Sequence, residues 1–176
     1  MITMLGAGDQ MKRTSLSFRS VNLRGCQGYD PDLQRHHLLP RQLLTRHCFA
    51  TLIATLGRDR IGFDDFRRNG ILLPSQEKAA LRTLLPMHRG PHRAYNDMVM
   101  ERVGCIEAHW VVQSRQSRRQ ACEDALQRLS LLQRALRRRL FERSRRTVLN
   151  RRDPALARQD FDQLDAMAEL LWAATS

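Results

Sequence analysis

Asn69-Gly70-Ile71-Leu72-Leu73-Pro74, followed downstream by His88-Arg89-Gly90-Pro91-His92-Arg93-Ala94-Tyr95-Asn96, is the stretch on which the fold turns. Asn-Gly punctuates the chain, and the apolar run Ile71–Leu73 stopped by Pro74 reads as a strand. Gly90-Pro91 marks a helix start, because proline at the first helical position gives up an N–H that has no partner there anyway. Ala94, Tyr95, Met98, Val99 and Val103 then recur at helical spacing until Gly104, where the helix is expected to stop. Between strand and helix, Ser75 to Leu85 predicts a short helix ended by Pro86. A strand therefore leads, across a loop carrying two histidines, into a helix.

Upstream lies His36-His37-Leu38-Leu39-Pro40, so four of the six histidines fall in two tight pairs. Neutral imidazole is a good ligand for divalent transition metals, and a catalytic centre uses about three protein ligands with a position left open. Adjacent histidines on an extended backbone point to opposite faces and cannot easily share one ion. The natural division is that one binds metal while the other acts as a base on a water, its ordinary pKa being near 6.5. Geometry alone does not say which does which. His47 and His109 stand alone and read as surface or core residues.

The net charge is +12 and the pI about 11.1. Nearly all of the positive charge is arginine, lysine occurring only at Lys12 and Lys78. Arginine's planar fork matches phosphate oxygens, so a polyanionic partner, nucleic acid first, is implied. Between Gln113 and Arg152 there are 13 arginines against three acids, which puts most of the positive balance on one helical segment. Its Leu126, Leu129, Leu132, Leu136 and Leu140 draw one apolar stripe. Asp153-Pro154 then looks like a cap and first turn opening a last helix, with Ala157, Phe161, Leu164, Ala168 and Leu171 on one face and Asp160, Asp162, Asp165 and Glu169 on the other. The expected arrangement is a hairpin of one basic and one acidic arm. Trp110 and Trp172 read as packing anchors.

Residues 1–28, with glycines at 6, 8, 25 and 28 and no sustained period, are expected to be a tail or arm, poorly ordered or loosely docked, without chemistry. Leu43, Leu44, Cys48, Leu52 and Leu56 predict one amphipathic helix from Pro40 to Leu56, ended near Gly57. Cys26, Cys48, Cys105 and Cys122 form no CxxC pair, so neither a zinc ribbon nor a redox motif is suggested, and they read as isolated, mostly core thiols suited to a reducing cytosol. No signal peptide or membrane-length apolar run is recognisable, so a bacterial cytoplasmic protein is expected, with delivery into another cell left open.

Taken in order, His36-His37-Leu38-Leu39-Pro40, Asn69-Gly70-Ile71-Leu72-Leu73-Pro74 and His88-Arg89-Gly90-Pro91-His92-Arg93-Ala94-Tyr95-Asn96 resemble the AHH branch of the HNH and endonuclease VII superfamily, over roughly residues 29–103. The same order is similar to that of the colicin-type DNases. The resemblance implies an α+β, predominantly helical chain: a ββα-metal core over residues 29–105, in which a short hairpin and a following helix hold one divalent ion. The basic–acidic helical hairpin, residues 106–176, would be appended to it. Carried over residue by residue, it makes His36 and His92 metal ligands and His37 the general base. Asn69 would orient His37 through a hydrogen bond, and His88 would be a third ligand or a phosphate contact. Tyr95 and Asn96 would support the site from behind.

The implied function is a metal-dependent endonuclease that hydrolyses phosphodiester bonds of DNA, or RNA, using Mg, Mn, Zn or Ni, in the setting of a bacterial toxin or defence system with an inhibitor (immunity) protein. The other class to weigh is a nucleic-acid-binding module that keeps the fold without turnover. Arg35, Arg41, Arg89 and Arg93 flank the motifs and could hold phosphates, as could Arg137, Arg138 and Arg139 on the basic helix. Two departures stand out. Arg35 occupies the place of the family's name-giving alanine, and the cysteine-bound structural zinc of endonuclease VII has no matching CxxC pairs here.

Overall fold

The structure is a computed structural model and describes residues 15–143, 147–150 and 152–154. Two short strands, β1 (Leu33–His37) and β2 (Gly70–Pro74), pair antiparallel, with His36 opposite Ile71 and His37 opposite Gly70. Among the described residues, six α-helices pack around them: α1 (His47–Leu56), α2 (Arg58–Ile61), α3 (Phe66–Asn69), α4 (Glu77–Thr83), α5 (Arg93–Ser114) and α6 (Arg118–Phe141). The chain is α+β and predominantly helical, as expected.

The strands are not joined by a short hairpin. Residues 38–69 intervene and carry α1, α2 and α3, and the crossover closes on a hydrogen bond from the Leu38 N–H to the Asn69 carbonyl at 2.8 Å. Each helix end in it has a local cause. Gly57 and Gly62 take φ of +81° and +69°, values costly for residues with a Cβ, and stop α1 and α2. Asp65 starts α3, its side chain accepting the Arg67 N–H.

The helix expected from Pro40 to Leu56 is two pieces. Pro40 launches a 3-10 turn over Arg41–Leu44, Arg46 is extended, and α1 begins at His47. The break re-phases the chain so that Phe49, with Leu52 and Leu56, faces the core while Cys48 is exposed. Burying the larger aromatic side chain removes more apolar surface from water. Cys26 and Cys105 are exposed too and Cys122 is half-buried, so the thiols are not core residues.

Helix α5 runs through Gly104 to Ser114, ten residues past the expected stop. Glycine inside a helix costs about 1 kcal/mol. Continuing buries Ile106 and Trp110, each side chain worth about 1.5–3 kcal/mol, so the longer helix wins. After the turn at 115–117, Ser117 caps α6, which packs against α5. The α6 face in the core is Ala121, Ala125, Leu129, Leu136 and Leu140 with Gln133, while Leu126 and Leu132 are only partly buried. The partner of the basic helix among the described residues is thus α5. The acidic segment expected to pair with it lies outside the described residues, as does Trp172.

Candidate active site

Alternation along β1 divides the histidine pair. His36 is 5% exposed and faces the loop that follows α4, its ring 4.8 Å from that of His88 and 5.5 Å from that of His92, centroid to centroid. The His88 and His92 rings are 4.3 Å apart. One ring nitrogen from each of the three can be chosen so that all lie within 4.8 Å of one another. His37 faces the other way, half-buried, beside Phe63 and stacked on Phe18.

The three-histidine cluster is assembled from both strands and the start of α5. The His88 N–H donates to the Pro74 carbonyl at 2.6 Å, which lays the loop across the end of β2, and Ser75 ties that end to the Asp32 carbonyl beside β1. His92 is the residue immediately before α5. Its Nδ1 lies 3.2 Å from the Leu149 carbonyl, and since only a protonated ring nitrogen can bond a carbonyl, Nε2 is left with a free lone pair. His88 Nδ1 is 3.1 Å from the Gln34 side-chain oxygen, with the same consequence. Among the described residues, buried His36 Nε2 has no hydrogen-bond partner.

Burial, with the neighbouring rings adding to it, holds His36 far below its usual range, and burial with His92 beside it lowers His88 to about 4. Both rings are therefore neutral at physiological pH, the form that donates a lone pair. An unpartnered buried nitrogen, two neutral rings and two oriented neighbours are what a divalent ion needs, so the residues fit one.

His37 has its own electrostatics. Burial and the nearby Arg41 guanidinium lower it to about 4, with Asp64 opposing. Asn69 does not orient it. The Asn69 side chain is completely buried and bonded to the peptide chain: its oxygen accepts the Leu39 N–H at 2.7 Å, and its amide donates to the carbonyls of Phe63 and Leu39 at 2.9 and 3.3 Å. Gln133 of α6 adds a bond at 3.4 Å. The expected Asn69–His37 bond is replaced by one that fixes the chain leaving β1.

Tyr95 is buried, donates to the Leu38 carbonyl at 2.9 Å and sets its ring edgewise 5.1 Å from His36. Asn96 reaches instead to Gln42, at 3.2 Å. Two arginines expected to hold phosphate are engaged in the fold. Arg35 Nη1 donates to the Phe18 carbonyl at 2.9 Å, and Arg137 Nη2 donates to the carbonyls of Arg67 and Gly70 at 2.6 and 2.9 Å. Arg41, Arg89, Arg93 and Arg138 are exposed, and Arg139, also exposed, pairs with Glu142.

Several residues at the site escaped the sequence reading. Gln34 had a signal, lying two before His36 and so on the same face of the strand. Residues 147–150 and 152–154 had none: Leu149 holds His92, Asn150 donates to the Arg89 carbonyl, and buried Asp153 accepts the Met87 N–H at 2.7 Å. Val148, Leu149, Asn150 and Arg152 line a cleft beside His92, with Arg93 and Tyr95. Residues 16–22, read as part of an arm without chemistry, lie against β1 and α3, with Phe18 on His37.

A family profile described as AHH, a nuclease family of the HNH/ENDO VII superfamily with conserved AHH, matches residues 17–136. The chain belongs to this nuclease family. The match takes in both strands, all four motif histidines and most of α6, and stops short of Leu149, Asn150 and Asp153, which hold the His88–His92 loop. No curated protein and no solved structure matches the chain. Among the described residues, no helix is long and apolar enough to cross a membrane.

Proposed function

We propose that this member of the AHH family is a metal-dependent endonuclease that hydrolyses phosphodiester bonds of DNA, with RNA the rival substrate, through a histidine general base. The observation that supports this reading best is the division of neighbours on β1, with His36 in a three-imidazole cluster and His37 on the opposite face with no hydrogen bond to its ring nitrogens among the described residues. His36, His88 and His92 hold one divalent ion, and a set of nitrogen donors favours Zn or Ni over Mg and Mn, which prefer oxygen. When bound, that ion supplies positive charge for the phosphoryl oxygens and the departing oxygen.

His37 takes the proton from the attacking water. Its lowered pKa keeps it neutral and ready to accept at physiological pH, while making it a weaker base than an exposed imidazole. Asn69 and Tyr95 fix the turn at Leu38–Leu39 and so hold the exit of the strand that carries both histidines. Arg41, Arg89 and Arg93 are exposed around the motifs and bind backbone phosphates.

The test is one plasmid and one RNA incubated with Mg²⁺, Mn²⁺, Ni²⁺ or Zn²⁺, beside EDTA and the His37→Ala protein. Cutting that needs metal and is abolished in His37→Ala, with metal still bound, is expected. Full activity in EDTA or in the variant would overturn the assignment, and binding without cutting under every metal would favour a non-catalytic nucleic-acid module.

A further inference from the structure

A general base must be held at a fixed angle to the water it deprotonates, and His37 lacks the usual means. Asn69 is spent on the backbone of Leu39 and Phe63, and no hydrogen bond reaches either His37 ring nitrogen among the described residues. What does touch the ring is Phe18, with centroids 3.8 Å apart and planes 3° from parallel. A face-on contact restrains the tilt of an imidazole while leaving both in-plane nitrogens free, which a hydrogen bond to one of them would not do.

Phe18 is itself fixed from three directions. Its ring meets Phe66 edge-on at 5.1 Å and 76°. Ser17 bridges to Asp65, with the Leu16 N–H donating to the Asp65 carboxylate at 3.1 Å and the Phe66 N–H to the Leu16 carbonyl at 2.7 Å. Arg35 is the third support. It stands two residues before His37, on the same face of β1, and donates to the Phe18 carbonyl. The residue that replaces the family's alanine in this chain is therefore the tether of the aromatic ring over the histidine.

Building on the nuclease reading, we infer that Phe18 is a positioning residue that holds the His37 ring in register for proton transfer, with Arg35 anchoring it. Misplacing a reacting group by about 1 Å can cost on the order of a hundredfold in rate, so loss of the stack should lower kcat and leave KM nearly unchanged. Phe18→Leu keeps apolar bulk against Phe66 but removes the flat face, whereas Phe18→Tyr keeps both.

The experiment measures kcat and KM on plasmid DNA and on RNA for wild type, His37→Ala, Phe18→Leu, Phe18→Tyr and Arg35→Ala, and records the His37 ring-proton NMR resonances of each folded protein. Expected are a fall in kcat of at least about tenfold in Phe18→Leu with KM within about twofold, near-wild-type Phe18→Tyr, and an intermediate Arg35→Ala. The His37 resonances should move downfield in Phe18→Leu as the ring current is lost. Unchanged or raised kcat in Phe18→Leu, or unshifted His37 resonances, would overturn the inference, a rise meaning that Phe18 covers the base instead of aiming it. Should Phe18→Leu fail to fold, Arg35→Ala decides, with wild-type kcat and shifts as the overturning result. Failure of the nuclease reading is distinguished by a wild type that does not cut, or by cutting in His37→Ala.

Discussion

The side-chain oxygen of Asn69 accepts the Leu39 N–H at 2.7 Å, across the start and end of the crossover between the two strands, in a place with no exposure to solvent. This bond makes Asn69 part of the frame that carries His37. Asn69→Ala would leave the Leu39 N–H and the Phe63 carbonyl unpaired in the core, each orphaned group costing about 1–3 kcal/mol. We expect a loss of roughly 2–5 kcal/mol in denaturant unfolding. A variant as stable as wild type but inactive would return Asn69 to a direct catalytic role.

Gly70 sits opposite His37 in the sheet, and a methyl group there would meet the Phe66 ring at 2.2 Å. Phe66 in turn supports Phe18. Gly70→Ala is expected to destabilise the protein by about 1–3 kcal/mol through overpacking. Calorimetry would show it, and Phe66→Leu in the same chain should recover part of the loss.

The His88–His92 loop is tied down by the strap of residues 147–150 and 152–154, through Leu149, Asn150 and Asp153. Asp153→Ala removes the acceptor of the Met87 N–H, next to His88. Loss of an outer support of this kind weakens metal binding by about 10–100-fold. Zn²⁺ titration by calorimetry should report it, and His36→Ala should abolish the same binding; equal affinity in Asp153→Ala would mean that the strap only packs.

Acid should destabilise the metal-free protein through these rings. The unfolded chain takes up protons on His36, His37 and His88 as pH falls below 6.5, whereas the folded chain resists, since His37 and His88 are lowered to about 4 and His36 further. The stability they contribute is complete above about 6.5 and declines between 6.5 and 4. Thermal melting in EDTA should therefore be level near neutrality and fall through that window. A flat profile there would show that the rings are solvated.

The α6 arginines are expected to separate by role. Arg137, bonded to the carbonyls of Arg67 in α3 and of Gly70 at the start of β2, should cost stability when changed to Gln. Arg138 and Arg139 are exposed, and replacing both by Gln should reduce the salt slope of DNA binding by about 2 if they meet phosphates. An unchanged slope would leave this helix as scaffold.

The motifs were legible in the amino-acid sequence because their physics is local. The alternation of a strand places His36 and His37 on opposite faces whatever surrounds them, Ile71–Leu73 is apolar enough to be a buried strand, and Gly90-Pro91 falls just ahead of α5, which starts at Arg93, two residues past the proline expected at its first position. What only the tertiary structure decided are contacts between distant segments. The destination of the Asn69 amide, the hold of Leu149 and Asp153 on the histidine loop, the diversion of Arg35 and Arg137 to backbone carbonyls, and the ring of Phe18 over His37 have no period to betray them. A side chain's type and spacing limit what it can bond, but which partner it meets depends on where the rest of the chain folds back.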